Sequence, residues 1–283
     1  MIAYLIRRLF YGALILLGVN LLTFLLFFAV NTPDDMARLA LGGKRVSVES
    51  IEAWKSAHGY DLPLIWNEDA EGSESVTKTI FWTRSVPLLS FDFGMSDSGR
   101  DITTEIKTRM VPSLLLAVPT FLLGVITVVS VSLLVALLRG TRLEKGAIAA
   151  AVALMSISSL FYIITGQWLF GKVMQLVPVS GWSEGAGCVA FLALPVAIGV
   201  FAQLGSGTLL YRAMFLEELN KDYVRCVRAK GITETRILFG HVLRNASLPI
   251  VTSTVAVIPS LFMGSLIMES FFGIPGLGSY TID

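Results

Sequence analysis

Long stretches without charge constrain the fold of this chain more than any other feature of its sequence. Five stretches contain no Asp, Glu, Lys or Arg, and each is between 24 and 29 residues long: 9–33, 110–138, 146–171, 185–211 and 245–268. A helix that crosses the hydrocarbon core of a bilayer needs about 20 predominantly apolar residues, whereas helices of soluble proteins average about 10–14. The sequence therefore predicts five transmembrane helices.

The overall composition agrees with a membrane protein and disfavours several other classes. Of the 283 residues, 54% are hydrophobic and 15% are charged, and the mean hydropathy is +0.72. Soluble domains carry about 25% charged residues, so a soluble enzyme, a disordered chain and a collagen-like chain are all disfavoured. A net charge of +1 also argues against nucleic acid as a partner, because binding to phosphates requires an excess of basic residues. The partner that the composition predicts is the lipid bilayer.

Lys and Arg in the short loops predict the orientation of the helices. Basic residues precede the first predicted helix and lie after the second and the fourth: Arg7, Arg8, Arg139, Arg142, Lys145, Arg212, Lys221, Arg225, Arg228, Lys230, Arg236 and Arg244. These regions share one side of a five-helix topology, so we expect them and the N-terminus in the cytoplasm. The segment 31–109 and Asp283 are expected on the opposite side. The first apolar run exceeds a signal-peptide core and lacks a clear small-residue cleavage site, which favours an uncleaved helix.

Residues for catalysis or metal binding are not grouped in this sequence. Cys188 and Cys226 are predicted on opposite sides of the membrane, and so are His58 and His241. Neither pair is therefore expected to form a disulfide or a two-histidine metal site. Both cysteines are expected to pack as small apolar residues. We predict no catalytic residue, no metal ligand and no cofactor in this chain.

One segment has the spacing of a phosphate-binding loop. Gly166–Lys172 fits Gly-x4-Gly-Lys, but Val173 stands where that loop needs Ser or Thr to hold magnesium. The segment also lies at the end of a predicted transmembrane helix, with no strand before it. We predict that this chain does not bind ATP.

The stretch between the fourth and fifth predicted helices has a helical pattern. Its apolar residues recur at three- and four-residue steps and predict one helical stripe: Leu216, Leu219, Tyr223, Cys226 and Val227. Glu217 and Lys221 have the favourable i,i+4 order. Gly231 is placed to end this helix in a left-handed conformation, and Thr233 to cap a second helix that runs towards Pro249. The helical pattern alone leaves two interpretations open. The stretch is either a short projecting helix that binds another protein, or a solvated loop with interfacial helices.

Several motifs along the chain resemble those of permease subunits of ABC importers. Tyr223–Gly231 reads YVRCVRAKG and His241–Pro249 reads HVLRNASLP, similar to the YVR-x-x-RAKG and H-x-L-RNA-x-x-P motifs of the dipeptide, oligopeptide and nickel subfamily. Further matches to the subfamily follow the same order along the chain: Tyr4–Leu9, Gly18–Phe24, Gly59–Leu64, Asp92–Ser96, Leu176–Gly181 and Glu269–Gly278. The chain is therefore identified as a member of the binding-protein-dependent inner-membrane components.

The resemblance implies an all-α, polytopic membrane protein with the type I ABC-importer permease fold, in the bacterial inner (plasma) membrane. Such permeases have one more helix after the Pro-Gly-Leu-Gly turn, so a sixth helix is expected but missing from this chain. The expected organisation is an N-terminal transmembrane helix at 1–30, an extracytoplasmic segment at 31–109, and a permease core at 110–283. The core includes a cytoplasmic coupling loop at 212–248.

In this family the cytoplasmic loop forms a coupling helix that docks on an ATPase subunit. The resemblance implies that the docking residues are Tyr223, Arg225, Arg228, Ala229, Lys230 and Gly231. The broader permease pattern has Glu-Ala-Ala six residues before the glycine, where this chain has Arg225, Cys226 and Val227. Arg225 is normal for the peptide subfamily, but the other two side chains are bulkier than usual.

The motif after the fifth predicted helix is turn-rich. The resemblance implies a periplasmic gate or loop near the translocation mouth, facing a binding protein, formed by Glu269, Phe271, Phe272, Pro275, Gly276 and Gly278. A tight interhelical loop is the alternative. We expect Phe271 and Phe272 to anchor this loop at the membrane interface. Glu269 is expected either to pair with a partner group or to reach interfacial water.

The function implied by the resemblance is that of a non-catalytic permease subunit which moves peptides by alternating access. The implied partners are a second homologous permease, two cytoplasmic ATPases that bind ATP and magnesium, and an extracytoplasmic peptide-binding protein. A permease for nickel or another solute is an alternative. A self-contained secondary transporter or channel is another, although such proteins often carry ionisable groups at mid-membrane and the five stretches contain none. An intramembrane enzyme would need catalytic groups or metal ligands that the spans lack.

Overall fold

The computed structural model of the protein describes residues 1–43, 46–68, 70, 72–96 and 99–282. Among these residues, the chain is helical apart from its loops and one isolated antiparallel bridge between Met95 and Asp101. Asp283, for which the sequence predicts an extracytoplasmic location, lies outside the described residues. The chain divides into two compact units, Met1–Thr103 and Thr104–Asp283.

The first unit is built on one long apolar helix and several short ones. Its elements are α1 (Ile2–Val30), α2 (Pro33–Ala40), α3 (Val48–His58), α4 (Glu74–Thr77), a π-helical turn at Phe81–Ser85 and a 3-10 turn at Pro87–Ser90. Phe24 is the buried residue of α1 and meets Phe81 edge-on, with 5.2 Å between ring centroids. The Asn20 amide donates to the Ser85 carbonyl at 3.2 Å. Most other α1 side chains are exposed and apolar, as expected of a helix that faces lipid.

The second unit holds the remaining long helices. Its elements are α5 (Ile102–Leu137), α6 (Arg142–Ser156), α7 (Ser159–Gly166) with a π-helical continuation at Gln167–Val173, a 3-10 turn at Gly185–Gly187, α8 (Cys188–Leu219), α9 (Asp222–Ala229), α10 (Glu234–Ile237) with a π-helical continuation at Leu238–Val242, α11 (Leu243–Leu261), α12 (Leu266–Phe272) and α13 (Leu277–Tyr280). Ile102 and Thr103, at the start of α5, belong to the first unit.

Four helical stretches of the described chain are long and apolar enough to span a membrane. They are Ile2–Val30, Ile102–Leu137, Cys188–Leu219 and Glu234–Leu261. The third predicted span is instead a pair of helices, Arg142–Ser156 and Ser159–Val173, bent by 88°. The predicted five spans are therefore present when the bent pair counts as one.

The bend arises because two consecutive residues leave the helical conformation. Ile157 has ψ 132° and Ser158 has ψ 142°, both extended, so the backbone ladder cannot continue across them. The Leu154 carbonyl accepts from the Ile157 N–H at 3.3 Å and from the Tyr162 hydroxyl at 2.6 Å, so this backbone group at the break is paired. Neither proline nor glycine marks the break in the sequence.

Helix α8 is the centre of the second unit, and glycines let its neighbours approach closely. A Cβ on Gly205 would lie 2.6 Å from the Met155 nitrogen and 2.7 Å from the Ala151 carbonyl oxygen of α6. A Cβ on Gly207 would meet Val128 of α5 at 2.6 Å. Small residues at such contacts are typical of helix packing in membranes, where close van der Waals contact replaces the hydrophobic effect.

Two buried clusters lie towards opposite ends of α8. One contains Leu192 and Ile198 with Phe272 and Ile274; the other contains Phe215 and Leu219 with side chains of α5, α9, α10 and α11. A helix of 32 residues is about 48 Å long, so the two clusters stabilise well-separated ends of the bundle. The candidate functional residues occur at these two ends.

Candidate functional site

The loop with the predicted docking residues contains a short helix of its own, α9 (Asp222–Ala229). The predicted single helix through Leu216 and Val227 is wrong, because α8 ends at Leu219 and Lys221 is extended, with ψ 151°. Asp222 starts α9 as an acidic residue in the first turn, where the helix dipole favours negative charge.

The apolar side of α9 differs from the predicted stripe by one residue. Val224 is fully buried, whereas Cys226 is exposed, so the expectation that Cys226 packs as an apolar residue is wrong. Cys188 is buried as expected. Tyr223 and Val227 do pack partly against the same cluster as Val224. A stripe counted from Asp222 as the helix start would have found Val224, because its position relative to Val227 is i,i+3.

Tyr223 differs from the other predicted docking residues because it points inwards. Its hydroxyl donates to Glu218 Oε1 at 2.9 Å. Burial raises the pKa of Tyr223, which the Asn245 side chain partly opposes, so the phenol stays neutral at physiological pH. Lys221 Nζ lies 2.5 Å from Glu218 Oε2, and this contact raises the pKa of Lys221. The predicted i,i+4 partner of Lys221 was Glu217; the ion pair is with Glu218 because the helix breaks between them and Lys221.

The other predicted docking residues form one exposed surface at the end of α9. Arg225, Arg228, Ala229, Lys230 and Gly231 are all exposed. Arg225 pairs with Asp222 at 3.2 Å on the solvent side of the helix. We call these five residues, Arg225, Arg228, Ala229, Lys230 and Gly231, the basic corner.

Glycine and an ion pair fix the shape of the basic corner. Gly231 has φ 75°, and a Cβ added to it would meet no atom within 4 Å, so its left-handed conformation, as predicted, is what requires glycine. Arg228 donates to both oxygens of Glu234 at 2.5 and 3.0 Å across this turn, which raises the pKa of Arg228. Thr233 takes the predicted N-cap position of α10, but its side chain makes no capping hydrogen bond.

Polar contacts connect this loop to the long helices. Arg139, just after α5, donates to the Asn220 side chain at 3.1 Å. Arg212 of α8 forms an ion pair with Glu144 of α6, and the Gly140 N–H donates to the same carboxylate at 2.7 Å. These contacts join the residue between α8 and α9 to the end of α5, and join α8 to α6.

At the other end of α8, Glu269 is fully buried. Its carboxylate accepts hydrogen bonds from the Ser113 hydroxyl at 2.8 Å, from the Ser265 N–H at 3.0 Å and from the Ser279 N–H at 3.0 Å. The expectation that Glu269 reaches interfacial water is wrong, because α12, α13 and α5 enclose it. Ser113 also accepts from the Leu277 N–H at 2.8 Å.

Two glycines pack against this carboxylate, and a third packs against the adjacent backbone of α12. A Cβ on Gly276 would lie 2.3 Å from Glu269 Oε2, and one on Gly264 would lie 2.8 Å from Oε1. A Cβ on Gly278 would lie 2.5 Å from the Leu266 nitrogen. Glu269, its three donors and these glycines form what we call the carboxylate cradle. Ser113 was missed by the sequence analysis, since nothing local to it indicates a partner 156 residues away.

The two phenylalanines of the motif have different environments. Phe271 is 42% exposed and its carbonyl accepts from the Gln167 amide at 2.9 Å. Phe272 is 1% exposed and packs in the cluster with Ile274. The expectation that both rings anchor the loop at the interface is therefore wrong for Phe272, which is a core residue. Pro275 lies in the turn between α12 and α13.

A cavity of about 600 Å³ lies beside the carboxylate cradle, between α5, α7, α8, α11 and α12. Ser113 and Ser265 of the cradle form part of its wall, and so does Gln203 of α8. Among the described residues, no group of three or more His, Cys, Asp or Glu side chains is placed to hold a metal ion.

Comparison with known protein families settles what kind of protein contains these features. Residues 108–283 match the model of the binding-protein-dependent transport system inner membrane component. The chain belongs to this family. Residues 1–68 match the N-terminal model of the same kind of membrane component. The matched core of the permease includes the basic corner, the carboxylate cradle and the cavity.

Curated relatives align over the whole permease chain. It is 27% identical to the dipeptide transport system permease protein DppB of Bacillus subtilis and 28% identical to the oligopeptide transport system permease protein AppB of the same organism, covering 85% and 87% of those proteins. It is 29% identical to the glutathione transport system permease protein GsiC of Escherichia coli, covering 86% of that protein. Each alignment covers 100% of this chain. The predicted membership of a peptide-importer permease family is therefore confirmed.

Proposed function

We propose that this permease is the membrane subunit of an ATP-driven importer for short peptides, with ATP hydrolysis in separate cytoplasmic subunits. The observation that carries the proposal is α9, a short helix with an exposed basic end and a buried apolar side. The relatives of this chain include permeases named for dipeptide, oligopeptide and glutathione transport. In this proposal the complex contains a second homologous permease, two ATPases that bind ATP and magnesium, and an extracytoplasmic peptide-binding protein.

The contacts of α9 suit a helix that transmits movement of an ATPase subunit to the membrane bundle. Tyr223 ties it to α8, and Arg228 ties it to α10. Arg139 and Glu144 then connect the same end of α8 to α5 and α6. A helix held in this way moves with its neighbours, so a nucleotide-driven shift of α9 would change the packing of the whole bundle. The residues proposed to contact the ATPase are the exposed ones, Arg225, Arg228, Ala229, Lys230 and Gly231. Tyr223 is proposed instead to hold α9 against α8.

The opposite end of the bundle is proposed to receive peptide from the binding protein. The carboxylate cradle, with Glu269, Phe271, Phe272, Pro275, Gly276 and Gly278, holds the loop between α12 and α13 against α5 and would serve as the extracytoplasmic gate. This assignment places the N-terminus and the basic corner in the cytoplasm, as the positions of Lys and Arg predict.

Substitution of Gly231 tests the proposed docking. Gly231→Val forces a β-branched residue into the left-handed region at a cost of about 1–2 kcal/mol, which should displace the basic corner. We expect peptide-stimulated ATPase activity of the reconstituted transporter to fall about fivefold or more, with membrane insertion unchanged. Gly59→Val is a matched control, because Gly59 also has positive φ and open space around its Cβ position but ends α3. Equal activity in both variants would contradict the docking role.

Purification of the tagged permease tests the partners. We expect a second permease and ATPase subunits to co-purify in gentle detergent. A lone permease that transports solute in liposomes without an ATPase would establish a self-contained transporter instead. If the complex takes up a nickel chelate but no peptide in an ATP-driven manner, the proposed ATPase partners would be supported and the proposed peptide substrate would be refuted.

Labelling of Cys226 tests the orientation. Its thiol is exposed, whereas that of Cys188 is buried. A membrane-impermeant maleimide should label Cys226 in inside-out vesicles and not in intact cells with a permeabilised outer envelope. The reverse pattern would place the basic corner outside the cytoplasm and would refute the proposed topology.

A further inference from the structure

The cavity beside the carboxylate cradle has a wall that is polar in places but carries no charge among the described residues that line it. Its polar side chains are Ser113, Thr120, Ser159, Gln203, Ser260 and Ser265. Its volume of about 600 Å³ lies within the roughly 300–1,000 Å³ of typical small-molecule sites. A wall of this kind does not select a solute by net charge, so recognition must come from hydrogen bonds and shape.

Several polar groups on the wall are already used within the chain. The Thr120 hydroxyl donates to the Leu116 carbonyl at 2.7 Å, and the Ser260 hydroxyl donates to the Val257 carbonyl at 2.7 Å. The Ser113 hydroxyl is held in the carboxylate cradle. These hydroxyls shape the cavity, but their donor hydrogens are not available to a solute.

Gln203 is the one carboxamide on this wall, and it is uncommitted. Its side chain is exposed and has no hydrogen-bond partner within the part of the chain that the structure describes. It lies at the middle of α8 (Cys188–Leu219), the part of a spanning helix farthest from water. An amide left without partners in an apolar environment costs roughly 2–7 kcal/mol, so a glutamine at this depth indicates a polar ligand or a functional contact.

The opposite helix leaves room for this carboxamide. A Cβ on Gly124 of α5 would lie 3.0 Å from Gln203 Oε1 and 3.7 Å from Nε2. Any larger residue at that position would press on the amide of Gln203, a residue that also lines the cavity. Gln203 thus adds an uncommitted carboxamide, with donor and acceptor atoms side by side, to an uncharged wall.

We propose that Gln203 contacts the transported solute and recognises a peptide group. A carboxamide has the same donor and acceptor geometry as a peptide bond, so Nε2 donates to a substrate carbonyl while Oε1 accepts from a substrate N–H. This pairing involves the peptide backbone of the solute and not its side chains, which suits a transporter of peptides with many sequences. The inference rests on the proposed peptide import and assigns a residue and a chemical group to it.

Uptake of matched substrates by the complete transporter in proteoliposomes tests the inference. The probes are trialanine and its ester analogue, in which one peptide N–H is replaced by oxygen. The ester lacks the one hydrogen bond to Oε1, which at about 1 kcal/mol corresponds to roughly a fivefold change. We expect wild type to show that preference for trialanine in KM, and Gln203→Leu to lose the preference. Gln203→Asn should restore part of the preference, because it retains the carboxamide.

Controls separate the inference from its alternatives. Gln175→Leu makes the same exchange at an exposed glutamine outside the cavity and should keep the full preference. An unchanged preference in Gln203→Leu would overturn the assignment. Loss of the partner permease from the purified Gln203→Leu complex would also overturn it, since Gln203 would then be an interface residue. Absence of peptide uptake by wild type itself would instead refute the proposed function.

Discussion

Replacing Glu269 by glutamine tests the carboxylate cradle with almost no change in size. The carboxylate accepts from Ser113 and Ser265 on one oxygen and from Ser279 on the other. A glutamine can keep its oxygen towards the first pair, but its NH₂ group then faces the Ser279 N–H, donor against donor. The opposite rotamer loses two hydrogen bonds, so the first is the less costly.

The expected cost follows from this arrangement. One hydrogen bond to a charged acceptor is lost and two donors are left unsatisfied in a fully buried site, at a cost of about 1–3 kcal/mol for each unsatisfied donor. For a unit of this size, each kcal/mol shifts the midpoint of thermal unfolding by roughly 2–4 °C. We therefore expect Glu269→Gln to unfold at least about 2 °C below wild type.

A buried thiol near the cradle provides the assay. Cys188 packs in the same cluster as Phe272 and Ile274, and it becomes reactive when that cluster opens. In a Cys226→Ser background, a fluorogenic maleimide added during heating reports Cys188 alone. Glu217→Gln is the matched control, because Glu217 is exposed and exposed substitutions change stability by less than about 0.5 kcal/mol. An unchanged midpoint for Glu269→Gln, or an equal shift for Glu217→Gln, would refute the reasoning.

Three further predictions concern packing and pH. Gly276→Ala places a Cβ within 2.5 Å of both Glu269 and Ser113, so it should lower the midpoint of thermal unfolding in the same thiol assay. The control is Gly12→Ala, whose added Cβ meets no atom within 4 Å. Equal midpoints for the two variants would contradict the close packing around the carboxylate. Val224→Ala removes two methyl groups from a fully buried site and should weaken the packing of α9 against the bundle by about 1–2 kcal/mol. The expected result is faster proteolysis at Arg225 and Lys230. No change in cleavage would contradict the role of Val224 in anchoring α9. Burial holds the pKa of Tyr223 above its ordinary value of 10.0; because the folded pKa is the higher one, its contribution is complete below pH 10 and is lost as pH rises through the folded pKa. A fluorophore on Cys226 should report an alkaline loosening of α9 that is absent in Tyr223→Phe, and an identical transition in that variant would show that another group titrates.

The sequence predicted those features that depend on local pattern. The charge-free stretches located the spanning helices, because the cost of charge in hydrocarbon acts on each residue separately. The left-handed turn at Gly231 was also predictable, since glycine after an apolar helical stripe is a common helix ending. The exposure of Arg225 and Lys230 follows from the same stripe.

Features that depend on two distant segments were not predictable in this way. The break at Ile157 and Ser158 has no proline or glycine to mark it, so hydrophobicity alone reads one continuous span. The burial of Glu269 depends on Ser113 in α5 and on glycines from both sides of the carboxylate. Gln203 escaped notice because it is uncharged, and a search for gaps between charges treats it like any apolar neighbour. Only the packing of α5 on α8 shows that its amide faces a cavity.

The bond between Ser113 and Glu269 also imposes an order on synthesis. Ser113 emerges from the ribosome 156 residues before its acceptor, an interval of roughly 8–30 s at 5–20 residues per second. During that time α5 is already in the membrane, and the Ser113 hydroxyl waits without either of its later partners. The bundle can therefore close at this end only after its last described helices have been made.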